Sequence, residues 1–179
     1  MTQMTDTKRF YKQGLLLAAL IFAADQVVKY IMMVPLQLKS KTVIHIMPFF
    51  DFRWAENRGI SMGMLTADSD WQRWLLVAVT AVIAIVVAVW MYREKARGDV
   101  LALALVLGGA LGNIVDRARF GYVVDYADLH FGSFRPFFIF NLADAAITIG
   151  VVILLARALL IGDKTDNDAD GENLETNNA

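Results

Sequence analysis

Four mostly apolar stretches punctuate the chain, at about 14–34, 71–92, 98–116 and 137–161. Each is close to the roughly 20 residues needed to cross a hydrocarbon core of about 30 Å. Between the first two the pattern changes. In Thr42–Trp54 the even positions Ile44, Ile46, Phe50, Phe52 and Trp54 are apolar, a period of two that predicts two short strands broken at Pro48. Tyr122–Phe131, between the third and fourth stretches, is similarly rich in β-branched and aromatic residues. A small sheet at the membrane surface follows. Asn57–Leu65, with Gly59 and Gly63 spaced for close packing, predicts a short interfacial helix. From Asp163 onward the chain is rich in Asp, Asn and Glu without aromatics, which predicts a disordered acidic tail over 163–179. Residues 1–162 then form one membrane-embedded domain.

The first stretch has the look of a signal peptide, since Lys8, Arg9 and Lys12 precede an apolar run ending in Ala23-Ala24. Bulky Ile21 or Phe22 would occupy the position that wants a small residue, so the reading is a retained helix. Trp71 and Trp74 at one end of the second stretch, and Trp90 and Tyr92 at the other, are placed as interface anchors. The Lys/Arg flanks set the orientation. Lys8, Arg9 and Lys12, with Arg93, Lys95 and Arg97 in the short second loop, predict that this loop and both termini are cytoplasmic. Lys39, Lys41, Arg53 and Arg58 in the first loop blur the signal. In either orientation the first and third loops share one face.

Composition narrows the chemistry. Of 179 residues 57% are hydrophobic, more than in an ordinary soluble domain. The net charge of −1 offers no basic face for nucleic acid. There is no cysteine, and His45 and His130 are the two histidines, so no zinc or thiol site is predicted, and no metal or other cofactor. Carboxylates, hydroxyls and amides remain.

Ionisable residues in a span need a partner or a function. Asp25 has Lys29 one turn later on the same face. Asp116 is followed by Arg117 and lies three residues after Asn113, beside Gly109 and Gly112. Both read as structural, each with its own cation. Asp125 and Asp144 have no adjacent basic residue. Asp144 is placed about 10 Å below the start of the fourth span by the helical rise, with Asn141 and Thr148 on its face. If Asp125 meets it, two carboxyls share a low-dielectric site, one pKa rises, and an acid and a base coexist. The residues alone leave open a plainer reading, in which Asp125 is a loop carboxylate and Asp144 a packing residue.

Four stretches carry a resemblance: AADQVVKY (23–30), ENRGISMG (56–63), GGALGNIVDRARFGYVVDYADLH (108–130) and FNLADAAITIG (140–150). Over nearly all of 12–162 the chain resembles bacterial lipoprotein signal peptidase, signal peptidase II, an intramembrane aspartyl protease. The resemblance implies a four-transmembrane-helix bundle with a small extracytoplasmic β-cradle and a mobile surface helix. It implies a diacylglyceryl prolipoprotein substrate cleaved before its lipidated cysteine. Asp125 and Asp144 match the family's catalytic pair. Asp25, Lys29, Asn57, Gly59, Asn113, Asp116, Arg117 and Asn141 match residues that support or shape the pocket. The expected setting is the bacterial inner membrane, as a monomer among lipids, with the active site near the extracytoplasmic face. Met62, where the family often has an aromatic residue, and Ala145, where serine is common, depart from the pattern and bear on pocket shape. A competing class is a transporter or channel subunit relaying ions through Asp25, Asp116 and Asp144, although the internal repeat such proteins commonly show is not detectable. A noncatalytic assembly factor, docking through its small-residue helices, is a third.

Overall fold

The computed structural model of the chain describes the backbone of residues 2–60, 65–66 and 70–176, and the side chains of 9–59 and 70–160. Its long helices are α1 (Thr2–Met33), α3 (Asp70–Arg93), α4 (Arg97–Phe120) and α5 (Leu142–Thr176), and a short α2 (Leu38–Lys41) follows α1. Arg9–Met33, Asp70–Arg93, Arg97–Phe120 and Leu142–Leu160 are long and apolar enough to cross a membrane. The helical path of α5 runs on to Thr176, through the acidic segment.

α4 is the central helix and packs against α1, α3 and α5. Its glycines permit this. A Cβ on Gly108 would stand 2.6 Å from the Ala18 carbonyl oxygen, and one on Gly109 would meet the Ala143 carbonyl, so α4 approaches the backbones of α1 and α5 directly, while Gly112 leaves room for the Asp25 carboxyl. Val100, Leu103, Ala104 and Leu107 of α4 bury themselves with Ala18, Ala84 and Met91. The outward faces, among them Val82, Ile85 and Leu159, stay exposed and apolar, as lipid contact requires. Trp71, Trp74, Trp90 and Tyr92 are exposed at the two ends of α3, where the sequence placed its anchors.

β1 (Val43–Met47), β2 (Phe50–Asn57) and β5 (Val123–Leu129) form an antiparallel sheet in the order β1-β2-β5. Both loops therefore meet at one end of the bundle. Beneath the sheet lie Met32, Leu38, Tyr126 and Ala127, with Phe52, Trp54 and Phe140 packed against them.

Two expectations need correction. The interfacial helix over Asn57–Leu65 is absent from the described residues: β3 (Gly59–Ile60) pairs antiparallel with β4 (Leu65–Thr66), while 61–64, and Met62 with them, lie outside the description. Gly59 disfavours helix, and its N–H donates to Asn57 Oδ1 at 3.3 Å, so the chain turns there. The fourth span also begins five residues late, at Leu142 instead of Phe137. The chain bends at Pro136 and Phe137, and Phe140 pairs with Ala127 of β5.

Candidate active site

The late start of α5 has a local cause. Asn141 Oδ1 accepts the Asp144 N–H at 2.9 Å, and the Asn141 N–H donates to Asp144 Oδ2 at 3.2 Å. This reciprocal capping box satisfies two otherwise orphaned donors. It also fixes the Asp144 carboxyl over the first turn of the helix. Asp144 is thus at the entrance of the span, not about 10 Å inside it as the periodicity implied. Thr148 follows one turn on, exposed instead of turned into the bundle.

The Asn141 side chain reaches a second carboxyl. Its Nδ2 donates to Asp125 Oδ1 at 2.6 Å and to Asn113 Oδ1 at 3.3 Å. Asn113 Nδ2 in turn donates to Asp144 Oδ1 at 2.8 Å. Two amides, one on α4 and one capping α5, therefore link Asp125 and Asp144 into one hydrogen-bonded unit. Asn57, at the end of β2, also bonds the Asp125 carboxyl, and Gly59 holds the Asn57 amide from behind. Burial first, and then the charge of Asp144, push the Asp125 carboxyl up to about 7. This is the behaviour of two carboxyls that share a desolvated site.

Beside this unit lies a buried ion cluster. Lys29 Nζ is 2.8 Å from Asp25 Oδ2, 2.8 Å from Asp116 Oδ2 and 3.3 Å from Asn113 Oδ1. Asp25 keeps the partner the sequence predicted. Asp116 does not: its cation is Lys29, not Arg117. Successive helical residues point about 100° apart, so Arg117 leaves the face Asp116 shares with α1. Arg117 lies instead within electrostatic reach of Asp144, Asp125 and Asp116, and its buried Nε has no hydrogen-bond partner among the described residues. The two carboxyls read as free of cations thus have one nearby.

The ion cluster also sets the backbone. Asp25 Oδ1 accepts the Ala143 N–H at 3.1 Å, and Asp116 Oδ2 accepts the Val124 N–H at 3.1 Å. Each takes the amide of the residue immediately before Asp144 or Asp125. Gln26, which the sequence reading passed over, completes the cluster by donating to Asp116 Oδ1 at 3.1 Å. A polar residue in an apolar span was the available signal. Tyr126 was also missed. Its hydroxyl accepts the first N–H of α5, from Leu142, at 3.2 Å.

A cavity of about 500 Å³ opens at Asp144, lined by Asn57, Phe137, Phe138, Phe140, Thr148 and Ile149 among others. It presents carboxyl and amide at one end and an apolar wall elsewhere, a shape suited to a hydrophobic segment with a peptide bond at its polar end.

A family model described as signal peptidase (SPase) II matches residues 17–160. The chain belongs to the signal peptidase II family. It is 61% identical over 155 residues to a lipoprotein signal peptidase of Sphingopyxis alaskensis, covering 87% of this chain and 90% of that one. It is 54% identical over 159 residues to one of Rhizorhabdus wittichii, covering 88% and 92%. Two solved bacterial membrane enzymes, determined by the in meso method at 2.3 and 1.9 Å resolution, share the fold. The first matches with a TM-score of 0.71 and 27% identity over 87% of this chain and 91% of that one. The second gives 0.70 and 30% over 83% and 93%. Membership of the signal peptidase II family makes the chain a peptidase, and its four apolar helices make it a multi-pass membrane protein. The transporter reading is not favoured: two of its three aspartates, Asp25 and Asp116, are held on a single buried lysine.

Proposed function

We propose that the protein removes the signal peptide from diacylglyceryl-modified prolipoproteins, hydrolysing the bond before the lipidated cysteine, with Asp125 and Asp144 as the catalytic dyad. The observation that carries this reading is the shared amide frame, which binds both carboxyls while burial and Asp144 raise Asp125 to about 7. The names of the relatives from Sphingopyxis alaskensis and Rhizorhabdus wittichii support the substrate class.

Both Asp144 oxygens accept hydrogen bonds, from Asn113 and from the Asn141 backbone, which fix the carboxyl where it lines the cavity. Asp125 carries the shared proton. Asp144 takes a proton from a water as its oxygen attacks the scissile carbonyl carbon, and the Asp125 proton stabilises the developing oxyanion. The tetrahedral intermediate then collapses. The carbon–nitrogen bond breaks, the cysteine nitrogen takes a proton from the dyad, and the signal peptide leaves as a carboxylic acid. Lys29, Asp25 and Asp116 position the two backbones, and Asn57, Gly59, Asn113 and Asn141 orient the carboxyls. Arg117 supplies positive potential. The donor set is carboxyls and amides without sulfur or imidazole, and the reaction uses no metal.

The protein functions as a monomer in the bacterial inner membrane, with both termini cytoplasmic and the dyad near the extracytoplasmic face. Residues 1–162 are the peptidase domain and 163–179 a dispensable acidic tail. Purified protein offered a lipidated precursor and its unlipidated counterpart tests the reading. Mass spectrometry is expected to find the cut before the cysteine in the lipidated precursor alone. Equal cleavage of both would contradict the lipid requirement, and cleavage of neither would contradict the activity.

A further inference from the structure

The outer end of the sheet, away from the dyad, carries features that peptide hydrolysis does not use. Phe50 stands opposite Leu129, and the His130 N–H donates to the Phe49 carbonyl at 2.9 Å, so the β1–β2 turn lies beside the segment that follows β5. That segment closes on itself: Phe131 and Phe134 exchange backbone bonds of 2.8 and 3.2 Å. Their rings are 59% and 65% exposed, and Met47 and Phe49 beside them are exposed as well. The result is an apolar rim on one end of a sheet that is continuous with the membrane spans.

Behind the rim two arginines share one carboxylate. Asp128 is fully buried, and it accepts Arg53 Nε at 2.8 Å and Arg135 Nε at 3.1 Å on one oxygen and 3.2 Å on the other. Each guanidinium is held by its Nε, and the Nη groups of both make no bond to a described residue. The side chains remain 35% and 44% exposed. Asp51, opposite Asp128 in the ladder, brings a second carboxylate to the cluster but makes no bond to either arginine. Its two oxygens face His45 Nδ1 at 2.9 Å and His130 Nε2 at 3.2 Å. The Nη donors of the two partly exposed guanidiniums are thus left for a further acceptor.

We propose that this rim lies in the headgroup layer of the membrane, with Phe131 and Phe134 at the acyl boundary and Arg53 and Arg135 together holding the phosphate of an anionic phospholipid. Phenylalanine on a surface element buries at the boundary between headgroups and acyl chains, and a fork of guanidinium donors fits a phosphate. The paired arginines do not lie in the cavity at Asp144, and the assignment is independent of the peptidase reaction.

Native mass spectrometry of the delipidated full chain in detergent tests it, with phosphatidylglycerol and phosphatidylcholine of the same acyl chains as probes. The attraction of one arginine for an anionic headgroup at the membrane surface predicts a preference for phosphatidylglycerol of about fivefold. Arg53→Gln with Arg135→Gln is expected to bring the ratio to unity, and Arg53→Lys with Arg135→Lys to retain most of it. The lysine pair serves where the glutamine pair fails to fold. Excess inorganic phosphate is expected to leave the bound lipid in place. Because the chain has no cysteine, a nitroxide on Phe134→Cys labels one site, and in vesicles it is expected to be shielded from a water-soluble relaxation agent. Equal retention of the two lipids by the wild type, a preference that survives the glutamine pair or is lost in the lysine pair, displacement by inorganic phosphate, or a water-exposed label would each overturn the proposal.

Discussion

Asp125 shows most directly how environment changes what a residue can do. A carboxyl with an ordinary value of 3.8 is carried to about 7, so the native state binds this proton more tightly than the unfolded chain does. The sign follows: the stability contributed by this one group is fully present below about pH 4 and is lost as the pH rises through about 7, by an amount on the order of 4 kcal/mol. Asp125→Asn removes the titration. Its melting temperature in detergent is expected to exceed that of the wild type at about pH 8 and to match it at about pH 4. A difference independent of pH would contradict the assignment. The same group predicts that kcat/KM falls as the pH rises through about 7, since the reaction needs the proton in place.

At the scale of elements, the site depends on where β5 and α5 begin. Asp116 and Asp25 hold those beginnings through Val124 and Ala143, and Lys29 holds both carboxylates. Lys29→Ala leaves two buried carboxylates without their cation. Breaking a buried pair in this way costs roughly 3–5 kcal/mol, and a large fall in melting temperature is the expected result. Unchanged thermal stability would count against the cluster. The elements were legible to different degrees. A period of two gave β1 and β2, because sheet faces alternate whatever the neighbours are, whereas β5, buried on both faces, was legible from its β-branched and aromatic residues. Asp125 and Asp144 were singled out by asking which aspartates lacked a cation, although Arg117 does lie near them. The Asp116 partner was not legible, because it comes from another helix eighty-seven positions away (116 − 29). Nor was the start of α5, since Phe137–Phe140 is as apolar as a span, and a cap with a cross-strand bridge decides the boundary. Asn57–Leu65 was misread because the glycine spacing that suits helix packing does not exclude a strand, and Gly59–Ile60 pairs with Leu65–Thr66.

For the whole molecule, the sheet and dyad stand at one end of the bundle. At the other, Arg157 of α5 pairs with Asp99 of α4 at 2.6 Å, and Tyr11 of α1 meets Tyr92 of α3. The basic flanks Lys8, Arg9, Lys12, Arg93, Lys95 and Arg97 are placed at that second end by the chain's path, so reporters fused to either terminus are expected to read as cytoplasmic. A periplasmic readout would reverse the topology. Chelators are expected to leave turnover unchanged, whereas loss restored by one divalent ion would contradict the metal-free reaction. The central claim concerns which carboxyls do the chemistry, and turnover per folded molecule on a lipidated precursor tests it most directly. Asp125→Asn and Asp144→Asn should each abolish cleavage with the fold intact, and the double variant should be no worse, because residues acting as one unit lose function non-additively. Asp116→Asn should lower yield or stability yet retain turnover in the molecules that fold. Substantial activity in either dyad variant, or complete loss in a stable Asp116→Asn, would contradict the account.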